Sequence, residues 1–295
     1  MATNSIASLS TDRTGPHLEA YRAAIRSKRL RMLAGAAGFL VCGALAVVAA
    51  EIDLAKFSAN IWRFPNYLKQ LLPTLTWANF AGDFAEWFWG WKIWGKLLVE
   101  TLLIAYLGTF LGAVGAFFLS FHAAANVAPT AFGLAAARRF FEFCRTVPEI
   151  VFALIFVVAF GLGPVPGVMA IAIHTLGALG KQFSEAVENI DMKPIEGVVA
   201  SGASWSESLR FAAVPQIAAN FASYTLMRFE INVRGAAIMG FVGAGGIGQE
   251  LLTAVRKFYY SDISAMLVMI IATVMVIDIA TGHLRHRLIG MEHSK

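Results

Sequence analysis

The interval Asp191–Pro215, DMKPIEGVVASGASWSESLRFAAVP, separates two long apolar runs in the second half of the chain. It is too long for a simple turn, and its residues are spaced as in two short helices. Pro194 suits a first helical turn, where its missing N–H has no partner to lose. Gly202 is placed to stop that helix in the left-handed conformation. Ser204 and Glu207 stand at the spacing of a capping box, which starts a second helix, and Pro215 is expected to end it. A helix, a glycine bend and a second helix make a stiff projection. It either transmits force to a partner or is a hairpin that merely joins what flanks it.

What flanks it is apolar enough to cross a bilayer. Hydrophobic residues make up 58% of the 295 and charged residues only 15%, against about 25% charged in an ordinary soluble domain. The apolar residues gather in stretches of the length, about 20 residues, that a membrane span requires. Six spans are expected, near residues 32–50, 97–121, 139–161, 165–188, 217–243 and 262–283, giving an all-α polytopic membrane fold. Gly161, Gly163, Pro164 and Pro166 break the run between Glu149 and Lys181 into two helices joined by a tight hairpin. The chain then divides into a basic tail (1–31), a first span with an outer segment (32–96), a five-helix core (97–283) containing the connector 191–215, and a short tail (284–295).

Lysine and arginine accumulate on the cytoplasmic side of membrane proteins. Both tails and the loops at Arg138–Arg145 and Lys181–Arg210 hold fifteen basic residues, the opposite side holds seven, and Arg228 and Arg234 fall inside a span. Both termini are therefore expected in the cytoplasm of a bacterial inner-membrane protein. This asymmetry accounts for the net charge of +5 without nucleic acid, since no aromatic residues interleave with the basic clusters. The partner implied by composition is the lipid bilayer.

Six of the seven tryptophans (Trp62, Trp77, Trp87, Trp89, Trp91, Trp94) lie in residues 51–96. They suit either short helices lying at the outer lipid interface or a docking surface for an external partner. Cys42 and Cys144 support neither a disulfide framework nor a metal cluster. Gly90, Gly95 and Lys96 mimic a phosphate-binding loop, but Leu97 replaces the hydroxyl that holds magnesium. Gly243, Gly245 and Gly248 mimic a dinucleotide loop, yet follow a helix of membrane length and not a strand. With Gly246 they instead mark a helix end where backbones approach closely. No metal, no catalytic centre and no cofactor bound by this chain are expected.

The connector resembles the Glu-Ala-Ala loop of ABC importer permeases: Glu196 is followed by Gly202 after six residues and Pro215 after thirteen more. Gly197 and Val198 replace the two alanines; Ala200, Ala203 and Arg210 lie within the same loop. The chain is also similar to phosphonate permeases over roughly residues 95–285, through Arg145-Thr-Val-Pro148-Glu149, His174-Thr175-Leu-Gly177, Arg228-Phe-Glu230-Ile-Asn232-Val-Arg234 and the Val242–Gly248 run. The resemblance implies a type I importer fold and a homodimeric permease. It further implies a cytoplasmic ATPase dimer that grips the loop and itself uses ATP and Mg, and a periplasmic or lipid-anchored substrate-binding protein.

Ionisable residues inside a span are functional candidates. Glu230 and Arg234 are four apart and expected to pair along one helix. Arg228 is left without a partner in the run, so one positive charge is in surplus. Arg228, Glu230, Asn232, Arg234, His174 and Thr175 are candidates to line an anion pathway, arginine matching phosphonate oxygens with its planar fork; an ion-pair network that locks helices is the competing reading. The functional alternatives are a permease for another small solute such as methionine, or a self-contained secondary transporter or channel.

Overall fold

A computed structural model describes residues 11–292; Met1–Ser10 of the basic tail and His293–Lys295 of the last tail lie outside the described residues. Two units are distinguished, Met1–Tyr67 and Leu68–Lys295. In the first, α1 (Thr11–Ala49) is a single helix of 39 residues. The expected tail and first span are thus one element: Arg22, Arg26, Lys28, Arg29 and Arg31 ride on the helix that continues into the apolar stretch. From Tyr21 to Val48 most of its large apolar side chains are exposed, Ile25 and Val47 being half-buried, as suits a helix whose surroundings are hydrocarbon. Next come α2 (Leu54–Asn60), N-capped by Asp53, and α3 (Arg63–Leu71), which runs into the second unit.

The second unit continues with α4 (Phe80–Trp87), α5 (Trp91–Ala123), α6 (Ala131–Thr146), α7 (Glu149–Phe160), α8 (Pro164–Glu188), α9 (Lys193–Ala200), α10 (Trp205–Ser208), α11 (Val214–Met239), α12 (Ile247–Arg256) and α13 (Tyr260–Glu292). Helices α1, α5 and α13 are each long and apolar enough to cross a membrane. The bent pairs α6–α7 and α10–α11/α12 bring the number to five if each is one span, and α8, with 25 residues, is about 37 Å long, the length though not the uniform apolarity of a further crossing. Helix α13 runs past the expected end at 283 to Glu292.

Small residues let α5 and α8 approach closely. A Cβ at Gly112 would lie 2.7 Å from the Ala172 carbonyl oxygen, and one at Gly108 would meet Ile171 at 2.6 Å. Between lipid-embedded helices such close packing supplies the attraction that water cannot. Among the described residues four apolar clusters result, the smallest of them around Phe141 and Ala137. One holds Phe121, Leu179, Phe183, Ile217 and Phe221; a second, Ile104, Phe152, Ile171 and Met239; a third, Trp94, Ile247, Leu251 and Met266.

Two expectations about helix breaks are corrected. The span anticipated at 139–161 is two helices bent by 85°. Pro148 has no N–H to continue α6 and forces Val147 into extended backbone, φ −73° and ψ 122°. Pro215, expected to end the second connector helix, sits instead in the first turn of α11. Between α10 and α11, Leu209–Ala213 winds as a π-helix, with the Val214 N–H donating to the Leu209 carbonyl. An α-helical turn would press the proline ring on the carbonyl of Phe211; the wider turn relieves that clash, so the connector continues into the fifth span without a stop.

Candidate functional site

The connector forms a hairpin. Helix α9 carries Pro194 in its first turn and ends in a Schellman turn, with Gly202 N–H on Val199 O (2.9 Å) and Ala203 N–H on Val198 O (3.4 Å). Gly202 has φ +90°, which explains the glycine. Ser204 donates through its N–H (2.7 Å) and hydroxyl (2.6 Å) to the Glu207 carboxylate. Those two donors hold the Glu207 carboxyl below its ordinary pKa. One side of the hairpin is apolar: Ile195, Leu209, Ala212 and Ala213 pack against Phe121, Val127 and Val187 from the ends of α5 and α8. The other side presents Glu196, Gly197, Ala200, Gly202, Ser204, Glu207 and Arg210, all exposed, with Ala203 half-buried and Pro215 exposed at the base of α11. A rigid element seated by its apolar side and exposed on the other can receive a push and deliver it to the helices beneath.

A second group of residues lies within the spans. On α11, Arg228 donates to Nδ1 of His174 on α8 (2.5 Å). The Glu149 carboxylate at the start of α7 stands 3.8 Å from the same nitrogen and is seated so tightly against Gly235 that a Cβ there would collide with it. Glu230 accepts from the Thr281 hydroxyl and faces Arg285 at 3.5 Å. Arg234 faces Asp278 at 3.4 Å. Asn232 is wholly buried and its amide donates to Thr109 on α5 (2.7 Å) and Thr175 on α8 (2.8 Å).

These partners correct the sequence reading in three places. Glu230 and Arg234 do not pair with each other, because α13 runs alongside α11 and offers Asp278, Thr281 and Arg285 to them. Arg228 has a partner, His174. The surplus positive charge vanishes: Arg228, Arg234 and Arg285 are matched by Glu149, Glu230 and Asp278. Asn232 and Thr175 lie buried between helices of this chain, where they tie α5, α8 and α11 together.

Between α11 and α12, Gly243, Gly245 and Gly246 have φ of +83°, +83° and +77°. Gly248 packs so closely on Gly240 and on the Ala237 carbonyl that no Cβ fits between them. The Gly246 N–H donates to Glu100 (3.2 Å), the Ile247 N–H to Thr101 (2.9 Å), and the Gly163 N–H to the Gly243 carbonyl (3.0 Å). The glycine run thus clasps the start of α5 and the α7–α8 hairpin at one end of the bundle. Among the described residues no group of three His, Cys, Asp or Glu side chains could hold a metal ion.

Residues 116–289 match the family described as the binding-protein-dependent transport system inner membrane component. The chain belongs to this family. The permease is 36% identical to the phosphite transport system permease protein PtxC of Stutzerimonas stutzeri, over 82% of this chain and 88% of that one. It is 42% identical to the phosphate-import permease protein PhnE of Mycolicibacterium smegmatis, over 63% of this chain but only 36% of that longer relative. Its fold is similar to a solved inward-facing structure of the MetNI methionine ABC transporter, with TM-score 0.56 and 18% identity over 66% of this chain and 95% of that one. This is an inner-membrane permease subunit of an ABC importer, whose ATPase is a separate chain and which works with a substrate-binding protein.

The polar groups within the spans form a belt in this permease; sequence reasoning quoted Glu149 in a motif but did not assign it, Thr109, Asp278, Thr281 or Arg285 to that belt, nor Glu100 and Thr101 to the glycine turn. Glu149 and Glu100 had a signal, as acids bordering apolar runs. Thr281 and Thr109 had none, because a threonine on an apolar helix is indistinguishable from filler until its neighbour is known.

Proposed function

We propose that the permease passes phosphite, a phosphonate or a related small phosphorus oxyanion into the cytoplasm as a homodimer. In this reading each α9–α10 hairpin seats in a cleft of a cytoplasmic ATPase dimer, and both chain termini are cytoplasmic. The single observation that carries the reading is the hairpin: a capped, glycine-bent projection with an exposed row from Glu196 to Arg210 and an apolar side anchored on α5 and α8. The oxyanion is suggested by the relatives that transport phosphite and phosphate, and by Arg228, whose guanidinium can bind oxyanion oxygens bidentately.

The intramembrane charges are balanced, so an anion in transit gains Arg228 only by competing with Glu149. Conduction needs that weakness, because a site that binds too well does not release. Asn232 with Thr109 and Thr175, and Glu230 with Thr281 and Arg285, serve as locks between helices in either reading of the belt.

The test is ATPase stimulation in proteoliposomes holding permease, ATPase and binding protein. Phosphite, methylphosphonate, phosphate and methionine are each added in turn. Stimulation by one or more of the phosphorus oxyanions and not by methionine is the expected result. Stimulation by methionine alone, or uphill uptake by the permease without its ATPase, overturns the reading.

A further inference from the structure

The seventh tryptophan, Trp205, stands apart from the six in the Trp-rich segment and opens α10 on the second arm of the hairpin. Its indole N–H donates to the Val127 carbonyl oxygen at 2.8 Å. Its ring meets His122 edge-on, with centroids 5.2 Å apart. Both partners belong to the end of α5 and the short loop, residues 124–130, that follows it. The side chain is therefore turned toward the bundle and away from the exposed row of the hairpin.

The same loop is fastened elsewhere. The Asn126 amide donates to the Val187 carbonyl (2.8 Å) at the end of α8 and reaches the Met192 sulfur (3.5 Å) beside α9. The Ala125 N–H donates to Glu188 (2.8 Å), which also pairs with Arg138 on α6, and Arg138 in turn donates to the Ala123 carbonyl (2.9 Å). These bonds fix the loop to α6, to α8 and to the near edge of α9. The second arm is different. A cleft of about 330 Å³ lies between the loop, at Ala128 and Pro129, and the hairpin, at Val199 of the first arm and Ala203 and Ser208 beside the second. Trp205 alone bridges that cleft with a hydrogen bond among the described residues.

We infer that Trp205 is the positioning residue that makes α5 move with the second arm, so that loop 124–130 is part of the coupling element. This rests on the proposal that the hairpin docks into the ATPase. A load on α9 passes to α8 through the direct chain connection and the Asn126 bonds. A load on α10 has a direct path into α11 along the helix, through the π-turn, but reaches α5 only through the indole bond of Trp205 and the non-directional apolar seat of Leu209 at the foot of the arm. With the indole bond made, α5 and α11 shift together; with it cut, α10 swings into the cleft and α5 stays behind.

The experiment uses Trp205→Phe, which keeps an aromatic ring on the His122 side and removes the indole N–H donor together with the second ring, in the reconstituted complex of permease, ATPase and binding protein. Phosphite transported per ATP hydrolysed is measured. A single hydrogen bond changes a two-state equilibrium about five-fold, so transport per ATP is expected to fall by about that factor while the complex assembles and hydrolyses ATP. Rescue separates a tie from general damage. With Cys42→Ser as background, Ala128→Cys and Ala203→Cys place thiols on both walls of the cleft, and a short bis-maleimide bridging them should restore the ratio in Trp205→Phe. An unchanged ratio, a loss that bridging leaves in place, or failure of Trp205→Phe to co-purify with the ATPase each overturns the inference. Gly202→Glu, run in parallel, reports on the docking itself. If Gly202→Glu leaves uptake coupled, the hairpin reading fails; if it uncouples while Trp205→Phe does not, the hairpin docks and the tie is elsewhere.

Discussion

In the hairpin, the bonds that set its shape are local: Ala203 on Val198, Gly202 on Val199, Ser204 on Glu207. In the intramembrane belt the partners are far apart in sequence, from Arg234 and Asp278 at 44 residues to Asn232 and Thr109 at 123. The two regions also differ in what surrounds them. The hairpin's polar residues face outward and need only end one helix and start another. The belt's polar groups sit among apolar helices and must find one another, because an unpaired charge there is costly. Local chemistry is therefore enough to shape a connector, whereas a polar layer inside the membrane exists only after the helices have packed.

The contrast predicts unequal damage, and the largest is expected in the belt. Arg228→Gln should lower uptake by about a hundred-fold, since it removes a charge-assisted contact and leaves Glu149 beside His174 without its cation. ATP hydrolysis and assembly should persist. Uptake surviving in Arg228→Gln would remove the belt from the pathway and leave it as a helix lock. Gly202→Glu comes next. A side chain at φ +90° strains the Schellman turn by about 1–2 kcal/mol, and transport per ATP should fall about ten-fold.

A smaller effect is expected from Asn232→Ala, which cuts the tie among α5, α8 and α11. Interhelical bonds in membranes are worth about 0.6–1.7 kcal/mol, so the detergent-solubilised permease should lose a few degrees of thermal stability. Unchanged melting would mean that the glycine-mediated contacts of α5 with α8 suffice alone. The smallest effect belongs to the capping box. Glu207 is held below the ordinary carboxylate pKa by its bonds from Ser204. Its contribution is full above the unfolded value and disappears as pH falls through the lowered one. Coupling that weakens only in that acid range, and no longer does so in Glu207→Gln, is the expected pattern; an identical acid profile in the two proteins would count against the box.

The range over which a residue acts also decides how far its role is legible in the sequence. Pro194, Gly202, Ser204 and Glu207 each act on neighbours within a turn or two, so their spacing announces the hairpin. The same holds for Gly161, Gly163 and Pro164 at the α7–α8 turn and for the helix end near Gly243. Pro148 is legible as a proline but not as an 85° bend, because the apolar run continues through it and hydropathy has no direction. Glu230 and Arg234 read as partners because the four-residue rule holds for a helix facing water, whereas α11 lies against α13. Pro215 reads as a stop because a π-turn leaves no mark in composition.

That π-turn also governs the phase of α11. Each residue advances an α-helix by about 100°, so the extra residue accommodated between Leu209 and Ala213 fixes the azimuth at which Arg228 emerges some four turns later. Winding all five of those residues as an ordinary α-helix would turn Arg228 by about that angle, off His174 and toward another neighbour. The width of one helical turn at the hairpin's root thus sets the bearing of a guanidinium deep in the bilayer.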